Sequence, residues 1–200
     1  HSALKTMSAG NAETHNVAVG GNAGLSVTTG IQNTLIGGLA GDAITTGNYN
    51  SAVGYDSLGA TTTGANNTAL GMTSLKSNTT GGQNVALGLQ TLYYNTTASN
   101  NTALGHVAMT FNTTGTQNVA VGADALYTNT TASYNTAVGY QSLKLNTTGA
   151  QNVAVGTYAL DANTTAANNT ALGYASLGAN TTGDSSVAVG KDSMLTNTTG

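Results

Sequence analysis

The sequence predicts an all-β fold: a parallel β-roll (β-solenoid) in which one 17-residue repeat forms one coil. Three observations predict it. A glycine closes a short apolar motif every 17 residues from Gly20 to Gly190, without an insertion or deletion. Within the motif, side chains alternate with the period of a β-strand. Glycine and β-branched residues are frequent enough to disfavour a helix.

The repeat has the consensus N-[VT]-A-[VL]-G-x-x-[AS]-L-x-x-N-T-T-[GA]-x-x, and eleven units follow one another from Asn16 onward. Places within a unit are numbered here as positions 1 to 17. At about 3.3 Å per residue, a unit has about 56 Å of contour, which is enough for two strands of about five residues joined by two turns. A constant length is expected because each residue pairs with its equivalent one coil away, and a shift by one residue would reverse every side chain.

We predict one continuous solenoid over residues 16–200, with its last coil incomplete, and a partial coil over residues 1–15. Solenoids need capping repeats, and none is recognisable at either end. We therefore interpret the chain as a segment of a longer fibre.

The first two units depart from the consensus. They carry Gly24 and Gly41 in place of leucine at position 9, and Val27 and Ile44 in place of asparagine at position 12. An apolar side chain has thus moved by three places along the coil. We expect these two coils to have a different cross-section.

The alternation predicts that positions 2, 4 and 9 point into the coil, with Val85, Leu87 and Leu92 as one example. Three apolar groups per coil are few for a 17-residue unit that must lose its conformational entropy, so we expect neighbouring chains to supply further buried area. The alanine at position 3 and the glycine at position 5 form a narrow row, which we predict to be the contact face of an oligomer. The alternative is that these residues mark a tight corner of a monomeric coil.

Composition excludes several classes of protein. Only 6% of residues are charged, and four are Lys or Arg, too few to bind a nucleic-acid backbone or an anionic membrane. Without cysteine there is no disulfide framework and no thiolate site. No run of about 18 apolar residues suggests membrane insertion.

We predict no catalytic residue, no metal site and no cofactor. Asp56, Asp124 and Asp192 share position 7 but lie four coils apart. That is about 19 Å, beyond the ~5–9.5 Å of a glycosidase pair. A catalytic carboxylate pair formed between two chains is an alternative. We favour the interpretation that these carboxylates lie in turns and are solvated. In a trimer, three copies of His106 could converge on a metal or an anion, but the variability of position 6 favours a surface place.

The N-T-T triplets at position 12 match the N-glycosylation sequon. Asparagines stacked in successive coils also form a ladder of amide hydrogen bonds, and we favour the ladder. These asparagines are Asn78, Asn95, Asn112, Asn129, Asn146, Asn163, Asn180 and Asn197.

The motifs N-V-A-V-G at residues 16–20 and N-T-A-L-G at residues 67–71 resemble the N-S-V-A-I-G repeats of YadA-like heads in trimeric autotransporter adhesins. The longer N-T-A-V-G-Y-Q-S-L-K-L-N-T-T-G at residues 135–149 resembles repeats of phage tail fibres and bacterial surface fibres. The resemblance covers nearly the whole chain. It implies a left-handed parallel β-roll, a homotrimer, export to a cell or virion surface, and an adhesive or spacer function. YadA-type coils are typically shorter than 17 residues, so a turn or a strand must be longer here.

We therefore expect a non-enzymatic segment, a stalk or a head, of an extracellular trimeric fibre that attaches to host-cell surfaces or glycans. The shaft of a phage or virus tail fibre is one alternative, and a filament stacked end to end is another. A third is an ice-binding β-solenoid with ranked threonines. It requires the Thr-Thr pair to sit in a turn, because adjacent strand residues point to opposite faces.

The candidate surface contacts are residues at variable, outward-facing positions of the repeat, because rows of aromatic side chains often contact carbohydrates. They are Tyr93, Tyr94, His106, Phe111, Tyr127, Tyr158 and Lys191. Tyr55, Tyr140 and Tyr174 recur at position 6, and we expect them to cover a seam between chains.

Overall fold

One three-residue strand recurs in every repeat, and eleven such strands stack in parallel into a β-solenoid. The computed structural model describes residues 3–4 and 14–199. The strands occupy positions 2–4 of successive coils. They are β1 Val17–Val19, β2 Thr34–Ile36, β3 Ser51–Val53, β4 Thr68–Leu70, β5 Val85–Leu87, β6 Thr102–Leu104, β7 Val119–Val121, β8 Thr136–Val138, β9 Val153–Val155, β10 Thr170–Leu172 and β11 Val187–Val189.

Each strand pairs with the strand 17 residues later, in chain order from β1 to β11. Ala69 of β4, for example, lies opposite Ala86 of β5. The prediction of one repeat per coil is therefore confirmed. The prediction of two strands of about five residues per coil is wrong, because the rest of each coil consists of turns and bends. These still bond from coil to coil, as the Thr79 N–H does to the Thr96 carbonyl at 2.8 Å.

The strand side chains point the opposite way from the prediction. The central alanine of each strand faces the interior, and Ala86 is fully buried. Val85 and Leu87 on either side of it are only partly buried, whereas Leu92 at position 9 is fully buried as predicted. The physical reason is space: the interior of a 17-residue coil already holds a leucine and two asparagine side chains. The strand can add only a methyl group to it.

The small residues at positions 3 and 5 are packed within the solenoid itself. The position-3 alanines lie in its core. Gly105 at position 5 has a φ of +139°, and a β-carbon there would lie 2.5 Å from the carbonyl oxygen of Gly122 in the next coil. The backbone that approaches this row closely is therefore the neighbouring coil. The prediction that positions 3 and 5 form the contact face between chains is wrong.

Two asparagine ladders run through the interior. At position 12, Asn95 donates its amide to Asn78 Oδ1 at 3.0 Å, and the equivalent bonds continue along the stack. These asparagines are fully buried from Asn78 to Asn180, so the predicted ladder is confirmed over these coils and those sequons are inaccessible in the folded chain. The ladder does not extend to Asn197, whose side-chain amide nitrogen has no hydrogen-bond partner. The second ladder, at position 1, was not predicted. There Asn67 Nδ2 donates to Asn50 Oδ1 at 3.2 Å, and Asn67 Oδ1 accepts the N–H of Asn84 at 3.1 Å.

The first two coils keep the turn pattern of the others, so the expected change in backbone cross-section is not found. The substitutions compensate one another inside the coil. Leu35 replaces the alanine of position 3, and its side chain occupies the space beside Gly24 and Gly41. Val27 and Ile44 are fully buried in place of asparagine.

Most of the predicted partial coil at residues 1–15 lies outside the described residues. Within it, Leu4 packs against the core and donates its N–H to the Ala23 carbonyl at 3.1 Å. No helix in the described part of the chain is long and apolar enough to cross a membrane.

Candidate functional site

The outward side chains of positions 2 and 4 form a continuous uncharged surface, called here the strand stripe, in which position 4 supplies an apolar row. Position 4 is valine, isoleucine or leucine in all eleven coils, and position 2 is valine, threonine or serine. Leu70, Leu104 and Leu172 are each almost half exposed. At about 4.8 Å between strands, eleven strands extend the stripe over about 50 Å. Neither position carries a charge in any coil, and the apolar row of position 4 is a surface of the kind that marks interaction sites.

A first aromatic cluster lies at positions 10 and 11 of three successive coils. The Tyr94 and Phe111 rings stack 5.2 Å apart at an interplanar angle of 14°. Tyr93 and Tyr127 meet the two ends of this pair edge-on, with ring centres 4.7 Å from Tyr94 and 5.0 Å from Phe111. Four of the seven predicted contact residues are thus brought together. The two central rings each cover one face of the other, and both residues remain partly exposed to solvent.

A lysine extends this cluster by one coil. The Lys76 ammonium lies 5.7 Å from the centre of the Tyr93 ring and 2.8 Å from a carboxylate oxygen of Asp56. The hydrogen bond to Asp56 raises the pKa of Lys76. The cluster is thus flanked by an ion pair that sequence analysis did not connect to it.

A second aromatic cluster lies at positions 6 and 7. Tyr158 meets Tyr140 and Tyr174 edge-on, at 5.5 Å and 5.9 Å between ring centres. The Lys191 ammonium lies 5.8 Å from the centre of the Tyr174 ring. Two further predicted contact residues, Tyr158 and Lys191, therefore belong to one cluster and are connected through Tyr174, which had been predicted only as a seam cover.

His106, the seventh predicted contact residue, is exposed at position 6, two coils before Tyr140. Residues 3–4 and 14–199 contain no group of three or more His, Cys, Asp or Glu residues placed to hold a metal ion. A metal or anion site formed by three copies of His106 stays a prediction that concerns the trimer.

The Thr-Thr pairs of positions 13 and 14 lie in a bend, and their two side chains differ in role. At position 13, Thr96 donates its hydroxyl to the Thr113 carbonyl at 3.1 Å, and equivalent bonds recur along the rod. At position 14 the threonine is exposed in each coil from Thr29 to Thr182. The ranked threonines therefore form one exposed row, called here the threonine row, rather than two.

Comparison with protein-family models, with curated proteins and with solved structures finds no match. The resemblance of the strand motifs to YadA-like heads stays a prediction. Three surfaces of the rod remain as the basis for a function: the strand stripe, the two aromatic clusters and the threonine row.

Proposed function

We propose that this chain is a rigid structural and adhesive segment, a stalk or a head, of an extracellular fibre in which three copies associate through the strand stripe. The uncharged stripe, with an apolar row at position 4 that continues over eleven coils, is the observation that carries the proposal. The number of three copies follows from the resemblance to trimeric adhesin heads. The fibre belongs to a cell surface or, as the alternative, to the tail of a virion.

Association through the stripe has a favourable energy at every coil. Leu104 keeps 45% of its surface exposed. Full burial of a leucine stabilises by about 1.5–3 kcal/mol, so covering the remaining half contributes roughly 1 kcal/mol. Because the side chains repeat with the strand spacing, copies of the same stripe can meet in register along the whole rod. This surface replaces the alanine and glycine row as the contact face.

The regularity of the coil supports the role of a spacer. Eleven strands pair without a bulge or a change of register, and the turns between them bond to their equivalents one coil away. Such a rod holds whatever it carries at a fixed distance from its attachment point. The proposed role is accordingly structural and non-enzymatic.

Adhesion is assigned to the first aromatic cluster. Positions 10 and 11 lie about half a coil away from the strand, so the cluster stays exposed when the stripes are covered. Its tyrosine hydroxyls and ring edges, next to the Lys76–Asp56 ion pair, suit contact with glycans or another polar host-cell surface. Replacing Tyr94 and Phe111 by alanine is expected to abolish binding on a glycan array while leaving the oligomeric mass unchanged. Retained binding by that variant would contradict this assignment.

Sedimentation equilibrium of the full chain tests the association. The chain is expected to have the mass of a trimer. A variant with both Leu70→Lys and Leu104→Lys is expected to dissociate, because charges would be buried unpaired in the interface. Thr114→Lys, at an exposed position 14, is the matched control and should stay trimeric. A monomeric parent chain, or an undisturbed double variant, would contradict the proposal.

Ice binding is the second candidate, and the exposed threonine row favours it. The pairs lie in a bend, and one threonine per coil, at position 14, faces solvent at the coil spacing. Thermal hysteresis that is lost on replacing Thr97 and Thr114 by lysine would support ice binding. Absence of thermal hysteresis in the parent chain would exclude it.

A further inference from the structure

Position 10 of the coil is occupied by glycine in two coils, at Gly59 and, seven coils later, at Gly178. Other coils carry larger side chains there, so each glycine leaves a hollow on the outer surface. The hollow at Gly178 is an open pocket of about 600 Å³ lined by Tyr158, Asp161 and Leu195 among others. The two hollows lie at the same position of the coil but contain different side chains, so the groups around them can be compared within one molecule.

The hollow at Gly59 is filled by the protein itself. The carboxylate of Asp56, from position 7 of the same coil, occupies the place that a β-carbon on Gly59 would take. Lys76 of the next coil binds that carboxylate at 2.8 Å. Asp42 precedes Gly59 by one coil, and burial, followed by the charge of Asp56, raises the pKa of its carboxyl group. An ammonium group is thus held against a carboxylate, with the Tyr93 ring 5.7 Å away.

The hollow at Gly178 also has a carboxylate and an aromatic ring, both from the preceding coil, but it has no ammonium group. Ala175 stands where Asp56 does, and Leu195 stands where Lys76 does. Asp161, the equivalent of Asp42, has its Oδ1 3.5 Å from the place of a β-carbon on Gly178.

The charge of Asp161 is not neutralised by a direct ion pair. Burial raises the pKa of the Asp161 carboxyl group, and hydrogen bonds from the backbone N–H groups of Asp161 and Ala162, followed by the charge of Lys144, partly offset this. The lysine ion pairs among the described residues join Lys76 to Asp56, Lys144 to Asp124 and Lys191 to Asp192, so none involves Asp161.

We propose that the Gly178 pocket binds a small organic cation, an ammonium head on an apolar body. Asp161 supplies the opposite charge, the Tyr158 ring attracts the cation, and Leu195 contacts the apolar part. Lys76 in the equivalent hollow shows that this corner of the coil accommodates an ammonium group. The pocket involves positions 7, 10 and 11 and not the strand stripe, so the proposal does not depend on association of the chain.

Titration of the full chain with choline, followed by NMR of the Gly178 amide and the Leu195 methyl groups, tests the proposal. Choline is expected to shift both signals. The neutral alcohol 3,3-dimethylbutan-1-ol, which has the same shape without the charge, is not. Asp161→Asn should weaken choline binding about tenfold, because the ligand charge loses its partner. Asp42→Asn is the matched control at the equivalent place of the second coil, and it should leave the affinity unchanged.

A second variant fills the pocket. Gly178→Leu places at position 10 the side chain that the next coil already carries there, and it is expected to abolish binding with an unchanged circular dichroism spectrum. Equal binding of choline and the neutral alcohol would overturn the proposal. So would full affinity in Asp161→Asn or in Gly178→Leu.

Discussion

Left-handed backbone at three positions of the coil is the main local cost of this fold. Residues at positions 7, 9 and 17 have positive φ, including buried Leu92 at +52° and exposed Gln117 at +58°. A non-glycine residue in this region costs about 1–2 kcal/mol. At position 9 the buried leucine packs in the core and offsets that cost. At position 17 the side chain is exposed, so the backbone strain is not compensated by packing.

Position 17 is therefore a place where a single substitution stabilises the chain. Gln117→Asn is expected to stabilise by about 0.5 kcal/mol, because asparagine tolerates positive φ better than glutamine. Asn66, Asn100 and Asn168 already occupy this position in other coils. Gln117→Val should have the opposite sign, since a β-branched residue is strained there. Guanidinium unfolding midpoints of the two variants measure this, and midpoints that move in the same direction would contradict it.

The buried asparagines make a second prediction at the residue scale. Asn118 Nδ2 donates to the Ala132 carbonyl at 2.9 Å and to Asn101 Oδ1 at 3.2 Å. Asn118→Asp removes these donors and places a carboxylate beside two acceptors, which is expected to cost at least about 1–3 kcal/mol. Asn168→Asp at the exposed position 17 is the matched control and should be nearly neutral. Thermal unfolding followed by circular dichroism measures the stability of both variants. An equal loss of stability in the two variants would argue against the ladder as a source of stability.

At the scale of the element, the stacking of the coils requires the close approach of the glycine at position 5 to the next coil. Every one of the eleven coils has glycine there. At Gly105 a β-carbon would lie 2.5 Å from the carbonyl oxygen of Gly122, and φ is +139°. Neither the conformation nor the space admits another residue, so the stacking distance of the coils depends on this glycine.

Gly105→Ala is accordingly expected to destabilise the chain by several kcal/mol, since strain and steric overlap add. Gly38→Ala is the control: Gly38 lies at position 6, where the nearest atom to a new β-carbon is a Tyr55 ring carbon at 3.4 Å. That variant should stay within about 0.5 kcal/mol of the parent. Chemical denaturation of both variants tests the difference. A Gly105→Ala chain as stable as Gly38→Ala would show that the coils can separate at little cost.

The length of the coil could be predicted from the sequence, but which face of its strand points into the interior could not. The fixed interval from Gly20 to Gly190 defines coil length and pairing register. Alternation, however, only divides the strand into two faces, and both carry apolar or small residues. Ala103 points inward and Leu104 outward because Met109 and Asn101 already fill the interior of this narrow coil, which leaves no room for another large side chain. The alternation of valine and threonine at position 2 was a signal that this face is not core.

The aromatic clusters were predictable only in part. Tyr94 and Phe111 share position 11 in consecutive coils, so their stacking follows from the repeat. Tyr158 lies at position 7, whereas Tyr140 and Tyr174 lie at position 6 of the coils before and after it. Their contact depends on the course of the turn, which the repeat length does not determine.

At the scale of the whole molecule, the solenoid is a rod with one uncharged apolar face and an outer surface of turns. Each coil contacts mainly its neighbours, so stability accumulates along the rod. The proposed association adds a second source of stability, which acts between chains rather than along one chain. The two sources differ in their dependence on concentration.

The thermal unfolding midpoint of the full chain is therefore expected to rise with protein concentration, because association of folded chains draws the equilibrium toward the folded state. Circular dichroism melts over a hundredfold range of concentration measure this. The variant with both Leu70→Lys and Leu104→Lys should melt at a lower temperature that no longer depends on concentration. A concentration-independent midpoint in the parent chain would indicate that the rod is stable as a monomer.

Spin labels test most directly which face of the coil lies between chains. The sequence contains no cysteine, so a single nitroxide label can be placed at Leu104→Cys on the strand stripe or at Thr114→Cys on the threonine row. Association through the stripe predicts strong spin–spin broadening of the electron paramagnetic resonance spectrum for the label at position 104 and none for the label at position 114. A spectrum without broadening at position 104, or broadening at position 114 alone, would contradict it.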